Sequence, residues 1–233
     1  MIAAFEDAQT RAFALLVDVV RSLRSGVGEE ACVRFAMRSA TARGFVGFFR
    51  PPIVRFEPTA QRFAVPSRRT LRPGMLVEIV LLPVTRDALG HVAVTFPFEA
   101  DGEPLCDAAR ETCRAVLGFA NRTKTSGELH VFAKAWANNH RARLTGRSIG
   151  FHCPSREGAF GVAWPRGAWA LTRLRRHQLE HLNPRPLRGV YAVRPRIAMG
   201  SRAASFGELL YVDEEEKTIV ARDSLDAVGT FRG

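Results

Sequence analysis

Residues Met75 to Leu82 read Met-Leu-Val-Glu-Ile-Val-Leu-Leu, an apolar run broken once, by Glu78. A short continuous apolar run of this kind is the pattern of a buried strand. The strand must therefore accommodate a carboxylate. Burial of an ionised carboxylate is costly unless it is paired, hydrogen-bonded or open to a pocket. Glu78 is thus either a solubilising charge on an edge strand or a residue of a functional site. At 46% hydrophobic residues, the 233-residue chain can bury a sizeable core, as one large domain or two small ones.

Around that run the hydrophobic period changes twice. Phe5, Ala8, Ala12, Leu15, Leu16, Val19 and Leu23 recur at helical spacing over about 3–24. After Gly26 to Gly28 a second helix begins with Glu29 and Glu30, placed to suit the helix dipole, and Gly44 ends it. Phe45 to Phe56 and Leu76 to Phe98 then read as strands, the latter turning around Pro83 to Gly90. The helical period returns at about 105–120 and 127–140, the second helix capped by Thr125 or Ser126. Strands follow at 148–153 and 160–164, a basic helix at 169–181, and strands at Val190–Ile197 and Phe206–Val212. Helix, helix, strands thus occurs twice, with halves at about 1–104 and 105–233 of a single domain. Leu71-Arg-Pro-Gly-Met-Leu-Val and Leu187-Arg-Gly-Val-Tyr-Ala-Val are a shared phrase. The expectation is an α+β fold of two similar halves with a site between them.

Composition narrows the function classes. No run of about 18 apolar residues suggests a membrane span, and the N-terminus lacks the pattern of a signal peptide, so a cytoplasmic protein is expected. Cys32, Cys106, Cys113 and Cys153 form no CxxC pair and read as buried free thiols rather than a zinc site. The net charge is +11, carried almost wholly by arginine. That suits an anionic partner or substrate, or reflects genome composition alone. A local cluster stands at Arg173, Arg175, Arg176 and His177. No basic run is interleaved with aromatics, which argues against nucleic acid.

Four passages resemble the pita-bread fold of methionine aminopeptidase, proline-specific aminopeptidase and creatinase. Pro51-Pro-Ile-Val-Arg-Phe is similar to the family's FPPIVASG strand. Leu71-Arg-Pro-Gly-Met-Leu-Val-Glu-Ile, with Gly90-His and Val94-Thr-Phe, resembles its two aspartate-bearing strands. Gly146-Arg-Ser-Ile-Gly resembles its G-H-G-I-G segment. Gly189-Val-Tyr-Ala-Val-Arg-Pro and Phe206-Gly-Glu-Leu-Leu-Tyr-Val resemble its two glutamate-bearing strands. The series covers nearly the whole chain. It implies a pita-bread fold with two pseudo-symmetric halves around a central pocket. The family holds two metal ions with two Asp, one His and two Glu. Here those positions fall at Val80, at or near Val94, at Arg147, at Arg194, and at Gly207 or, with a slip of one, Glu208. Such a set offers no cage for a divalent cation, so no metal and no cofactor are expected.

A pocket of this kind suits acid/base chemistry. Glu78 shares a strand face with Val80 and is expected in the same cavity among Val80, Val94 and Phe96, its pKa raised toward that of a general acid/base. Arg55, Arg147 and Arg194 are candidate anchors for a substrate carboxylate, or pair with Glu57, Glu99 or Glu208. His91 and His152 are further pocket candidates, or structural histidines. Phe48, Phe63, Phe96, Phe98 and Trp164 offer rings to an aromatic substrate, or fill the core. The chain looks similar in size and acid placement to the β-carboline-forming Pictet–Spengler enzymes of actinobacterial secondary metabolism. That resemblance implies an amino-acid-like substrate, an aldehyde partner and a homodimer. The alternatives are a non-catalytic pita-bread module for nucleic acid or an acidic protein, and a creatinase-like C–N hydrolase, which Arg147 disfavours.

Overall fold

Helices lie where the apolar spacing puts them. The computed structural model describes residues 2–60, 66–153, 178–213 and 217–220. α1 spans Ile2–Arg21 and buries Phe5, Ala8, Ala12, Leu15, Leu16 and Val19 as one stripe. α2 spans Glu29–Ala42. Its Glu29 is no surface charge: the buried carboxylate accepts from the amide of Phe56 at 2.7 Å and from that of Ser67. α3, Pro104–Phe119, starts with Pro in its first turn, where the missing N–H costs nothing. α4, Ser126–Asn139, is entered through a capping box. Thr125 Oγ1 accepts from the Glu128 amide, and the Glu128 carboxylate accepts from the Thr125 amide.

The strands are β1 (Gly47–Phe48), β2 (Ile53–Phe56), β3 (Leu76–Leu81), β4 (Pro83–Val84), β5 (Val92–Pro97), β6 (Arg143–Leu144), β7 (Ser148–His152), β8 (Gln178–Glu180), β9 (Gly189–Val193), β10 (Arg196–Met199), β11 (Arg202–Ser205), β12 (Glu208–Val212) and β13 (Lys217–Val220). The first half of the chain makes the sheet β2-β3-β5 and the second half the sheet β13-β12-β9-β7-β8. Smaller sheets are β11-β10-β6 and β1-β4. All six residues of β3 are buried, as its composition requires.

The second half departs from the expected strands. Val190–Ile197 is not one strand: it breaks at Arg194-Pro195, and β9 and β10 lie in different sheets. Pro195 has no amide to donate to a ladder, so the strand changes partners there. β10 then returns as β11 through Gly200, which takes the positive φ of a tight hairpin. Part of the expected helix 169–181 is strand, at β8. His181 is a turn; residues 169–177 of that helix, the 160–164 strand, the cluster Arg173 to His177, Phe63 and Trp164 lie outside the described residues.

The two large sheets meet at a seam. Ala93 and Gly207 exchange backbone hydrogen bonds, at 3.3 and 2.9 Å. Two residues along, Thr95 Oγ1 donates to the Ser205 carbonyl at 3.2 Å and accepts from the Ser205 amide at 3.0 Å. Among the described residues no helix is long and apolar enough to cross a membrane. All four cysteines are buried free thiols.

Candidate functional site

Strand register decides what surrounds Glu78. In β3 it stands opposite Arg55 of β2 and Thr95 of β5. Val94 and Phe96 pair instead with Ile79 and Val77, so they lie on the other face of the sheet. The expected apolar setting of Glu78 is corrected accordingly: Val80 shares its face, but Val94 and Phe96 do not. Phe96 is only half-buried and packs against the core from the far side.

The partners of Glu78 are charged. Arg196, from β10, grips both carboxylate oxygens, Nε to Oε1 at 3.0 Å and Nη2 to Oε2 at 3.3 Å. Ser205 Oγ donates to Oε1 at 2.9 Å. Arg55 Nη1 stands 4.0 Å from Oε2. Glu78 is 1% exposed, and burial alone would raise its pKa. The Arg196 guanidinium, the charge of Arg194 and the Ser205 hydroxyl outweigh that and hold it below the ordinary carboxylate value. The expected rise toward neutrality is thus reversed. Glu78 is an ionised hydrogen-bond acceptor joining the two halves. Arg55 belongs to the same cluster rather than to Glu57, Glu99 or Glu208. Burial lowers the Arg55 pKa and Glu78 raises it back in part.

The implied metal-ligand positions gather at the seam. Val80 faces Ala93 across the ladder, so Ala93, not Val94, shares its side of the sheet. Gly207 is bridged to Ala93. A Cβ at position 207 would come within 2.6 Å of His91 Cε1 and 3.0 Å of the Ala93 methyl. The imidazole of His91 therefore fills the space into which a side chain at 207 would project. Glu208 does not offer the alternative. Its carboxylate accepts from Gln9 Nε2 of α1 at 3.3 Å, and its charge with burial pushes up the thiol pKa of Cys113 on α3, so it faces the helices.

His91 is held in place by its backbone. Gln9 donates to its carbonyl and accepts from its amide, both at 2.8 Å. Nδ1 is 3.3 Å from the Glu208 carbonyl, which fixes Nδ1 as the protonated nitrogen of a neutral ring. Burial, joined by the charges of Arg194 and Arg50 and only partly opposed by the Glu208 carbonyl, lowers the His91 pKa to about 3.

Arg194 follows β9 and is half-buried; its amide donates to the Ile149 carbonyl of β7 at 2.6 Å. Arg147, one residue before β7, is exposed. Because β7 and β9 run antiparallel as neighbours, both arginines come to one end of that pair. His152 lies at the other end of β7, edge-on to Tyr191 at 5.1 Å, with Nε2 against Gly189, where a Cβ would sit 2.9 Å away. The two histidines are thus not brought together.

Val80, Ala93, Arg147, Arg194 and Gly207 supply no oxygen or neutral nitrogen ligand, and His91 occupies part of the volume. Among the described residues no three His, Cys, Asp or Glu side chains converge as a metal cage would need. The residues present do not fit the two cations that the resemblance implies. Reading the sequence missed Arg196, Ser205 and Gln9. Arg196 carried a signal of the same kind as Glu78, a charge opening the apolar stretch Ile197-Ala-Met.

The sequence matches no protein-family model and no curated protein. Solved structures match its fold closely. An X-Pro aminopeptidase from Thermotoga maritima superposes at TM-score 0.76 with 16% identity, over 94% of this chain and 60% of that one. Prolidase from Pyrococcus furiosus gives 0.75 and 14%, over 95% and 63%. Methionine aminopeptidase from Thermotoga maritima gives 0.74 and 14%, over 94% and 95%. The chain thus spans about three fifths of the first two and nearly all of the third. The fold is the pita-bread fold of these peptidases, and identities this low establish the fold alone.

Proposed function

We propose that this pita-bread protein binds a small amino-acid-like carboxylate through arginine, without metal-dependent peptidase chemistry. The reading is carried by one observation, the reversal of charge at the implied ligand positions. Arg194 and Arg147 stand where the resemblance places a metal-binding Glu and His, and Arg194 acts electrostatically on both Glu78 and His91. A guanidinium grips a carboxylate through two parallel hydrogen bonds. A half-buried one is less screened by solvent than a surface charge.

A finer version of the reading is acid/base condensation, such as Pictet–Spengler ring closure of a tryptophan-type amine with an aldehyde. That reaction needs a proton donor and a base working near neutrality. Glu78 is ionised and engaged by Arg196 and Ser205, and His91 is a weak base at about 3. Condensation through Glu78 therefore requires the substrate to draw Arg196 away first. Binding is the better-supported function, and creatinase-like hydrolysis lacks its base where Arg147 stands.

Calorimetric titration of a panel of amino acids, with tryptophan and its decarboxylated amine as a pair, tests the proposal. Tryptophan-like acids should bind and the amine should not. Arg194→Ala should weaken binding by roughly tenfold or more, the loss of a hydrogen bond to a charged group. The reading is lost if no amino acid binds, if Arg194→Ala binds as well as the parent, or if the purified protein carries stoichiometric manganese, cobalt or zinc.

A further inference from the structure

Residues 57–59 and 68–75, between β2 and β3, and the β10–β11 turn line an open groove of about 550 Å3. Its charged lining is Glu57, Arg68, Arg69, Arg72 and Arg202. These charges do not cancel. Glu57 and Glu103 both reach Arg202, at 3.7 and 3.0 Å, and the Glu57 carboxylate also accepts from the Leu76 amide at 2.8 Å. One guanidinium is therefore matched by two carboxylates. Among the described residues the Arg69 side chain is held by carbonyls, Nη1 donating to that of Phe56 at 3.1 Å and that of Glu57 at 3.2 Å, which orients its fork without supplying a countercharge. Arg68 and Arg72 are exposed and, among the described residues, form no ion pair or hydrogen bond through their side chains.

We propose that this groove binds a phosphate-dense ligand, a short oligophosphate chain. Three guanidiniums, one already oriented, suit successive phosphate groups, since the planar fork matches phosphate geometry. Among the described residues the lining holds no aromatic ring; its apolar members are Pro58 and Met75. The described lining offers guanidiniums and no stacking surface, which favours recognition of the phosphates. The groove also crosses the seam. The Ala60 amide donates to the Ser201 carbonyl at 3.0 Å, and the Ala203 amide to the Pro58 carbonyl at 2.8 Å. Thr59, another lining residue, has its carbonyl accepting from Arg196 Nη2 at 2.9 Å, which ties the groove wall to the Glu78–Arg196 pair. A bound oligophosphate stabilises the folded chain by mass action.

The test is calorimetric and thermal-shift titration of the whole chain with inorganic tripolyphosphate at low ionic strength, repeated with ATP. Tripolyphosphate should bind, raise the melting temperature and weaken with added salt. The double variant Arg68→Ala/Arg72→Ala, both at exposed positions, should bind it roughly tenfold more weakly or worse. Arg194→Ala should leave it unchanged, which separates this groove from the carboxylate site. ATP should bind no more tightly than tripolyphosphate. Absence of tripolyphosphate binding, unchanged affinity in the double variant, or a marked preference for ATP overturns the proposal.

Discussion

At Glu78 the fold keeps a buried charge and surrounds it; at His91, just before the neighbouring strand, it suppresses one. Both groups are buried to within 2%. Glu78 receives a guanidinium from 118 residues away and a hydroxyl from 127 away, and their attraction outweighs the cost of burial. His91 has Arg194 and Arg50 for charged neighbours, so burial and electrostatics push the same way and its ring is neutral. Burial alone does not set the charge of a buried group. The sign of what the other half of the chain delivers does.

Breaking the Glu78 cluster should have the largest effect. Glu78→Gln leaves Arg196 and Arg55 without their carboxylate, and unfolding by denaturant should show a loss of about 3–5 kcal/mol. Replacing the pair together, Glu78→Leu with Arg196→Met, should recover most of it, since two matched apolar groups remove the desolvation cost. A Glu78→Gln protein as stable as the parent would show that the ion pair does not hold the seam.

Acid should separate the two regions next. The folded pKa of His91 lies near 3 against an ordinary 6.5, so between those values the unfolded chain takes up a proton that the folded chain refuses. Stability is then fully present above 6.5 and falls with pH below it, by about 1.4 kcal/mol per pH unit for this group. Glu78, with its pKa depressed, contributes stability above the ordinary carboxylate value that is lost at lower pH, as pH falls through its folded value. Melts of the parent and of His91→Phe from pH 7 to 5 should therefore diverge, the variant losing less. Parallel curves would mean that His91 is protonated in the fold.

A smaller effect tests whether His91 fills the space before Gly207. Gly207→Ala should cost about 1–3 kcal/mol through overpacking, and His91→Ala in the same chain should relieve it. A double-mutant cycle without coupling would separate the two positions. Thr125→Ala, at the capping box of α4 and in neither region, should cost about 1 kcal/mol and calibrates the scale.

The expected placement of Val94 and Phe96 beside Glu78 fails for one reason. β3 is apolar on both faces, so no alternation marks which residues of β5 share a side with Glu78. A one-residue shift in pairing exchanges the faces, and Val94 and Phe96 stand in sequence where Ala93 and Thr95 stand in space. Arg147 and Arg194 stand at positions to which the resemblance assigns ligands, and that assignment rests on the short phrases around them. The helices were readable for a similar reason: an apolar stripe, a proline or a capping box acts within a few residues of itself.

The sequence by itself determined the helix-helix-strand order, the buried strand with one acid in it, and which residue types stand in the phrases that carry the resemblance. Those are consequences of residue type and short-range spacing. Only the tertiary structure decided that Glu78 is an ionised clasp instead of a raised-pKa acid, that His91 occupies the space before Gly207, and that Ser201 and Arg202 meet Arg68, Arg69 and Arg72 in one groove. Each depends on side chains from distant segments meeting at a few ångströms. Coulombic and packing energies at such distances turn on register and topology, which composition and periodicity do not fix.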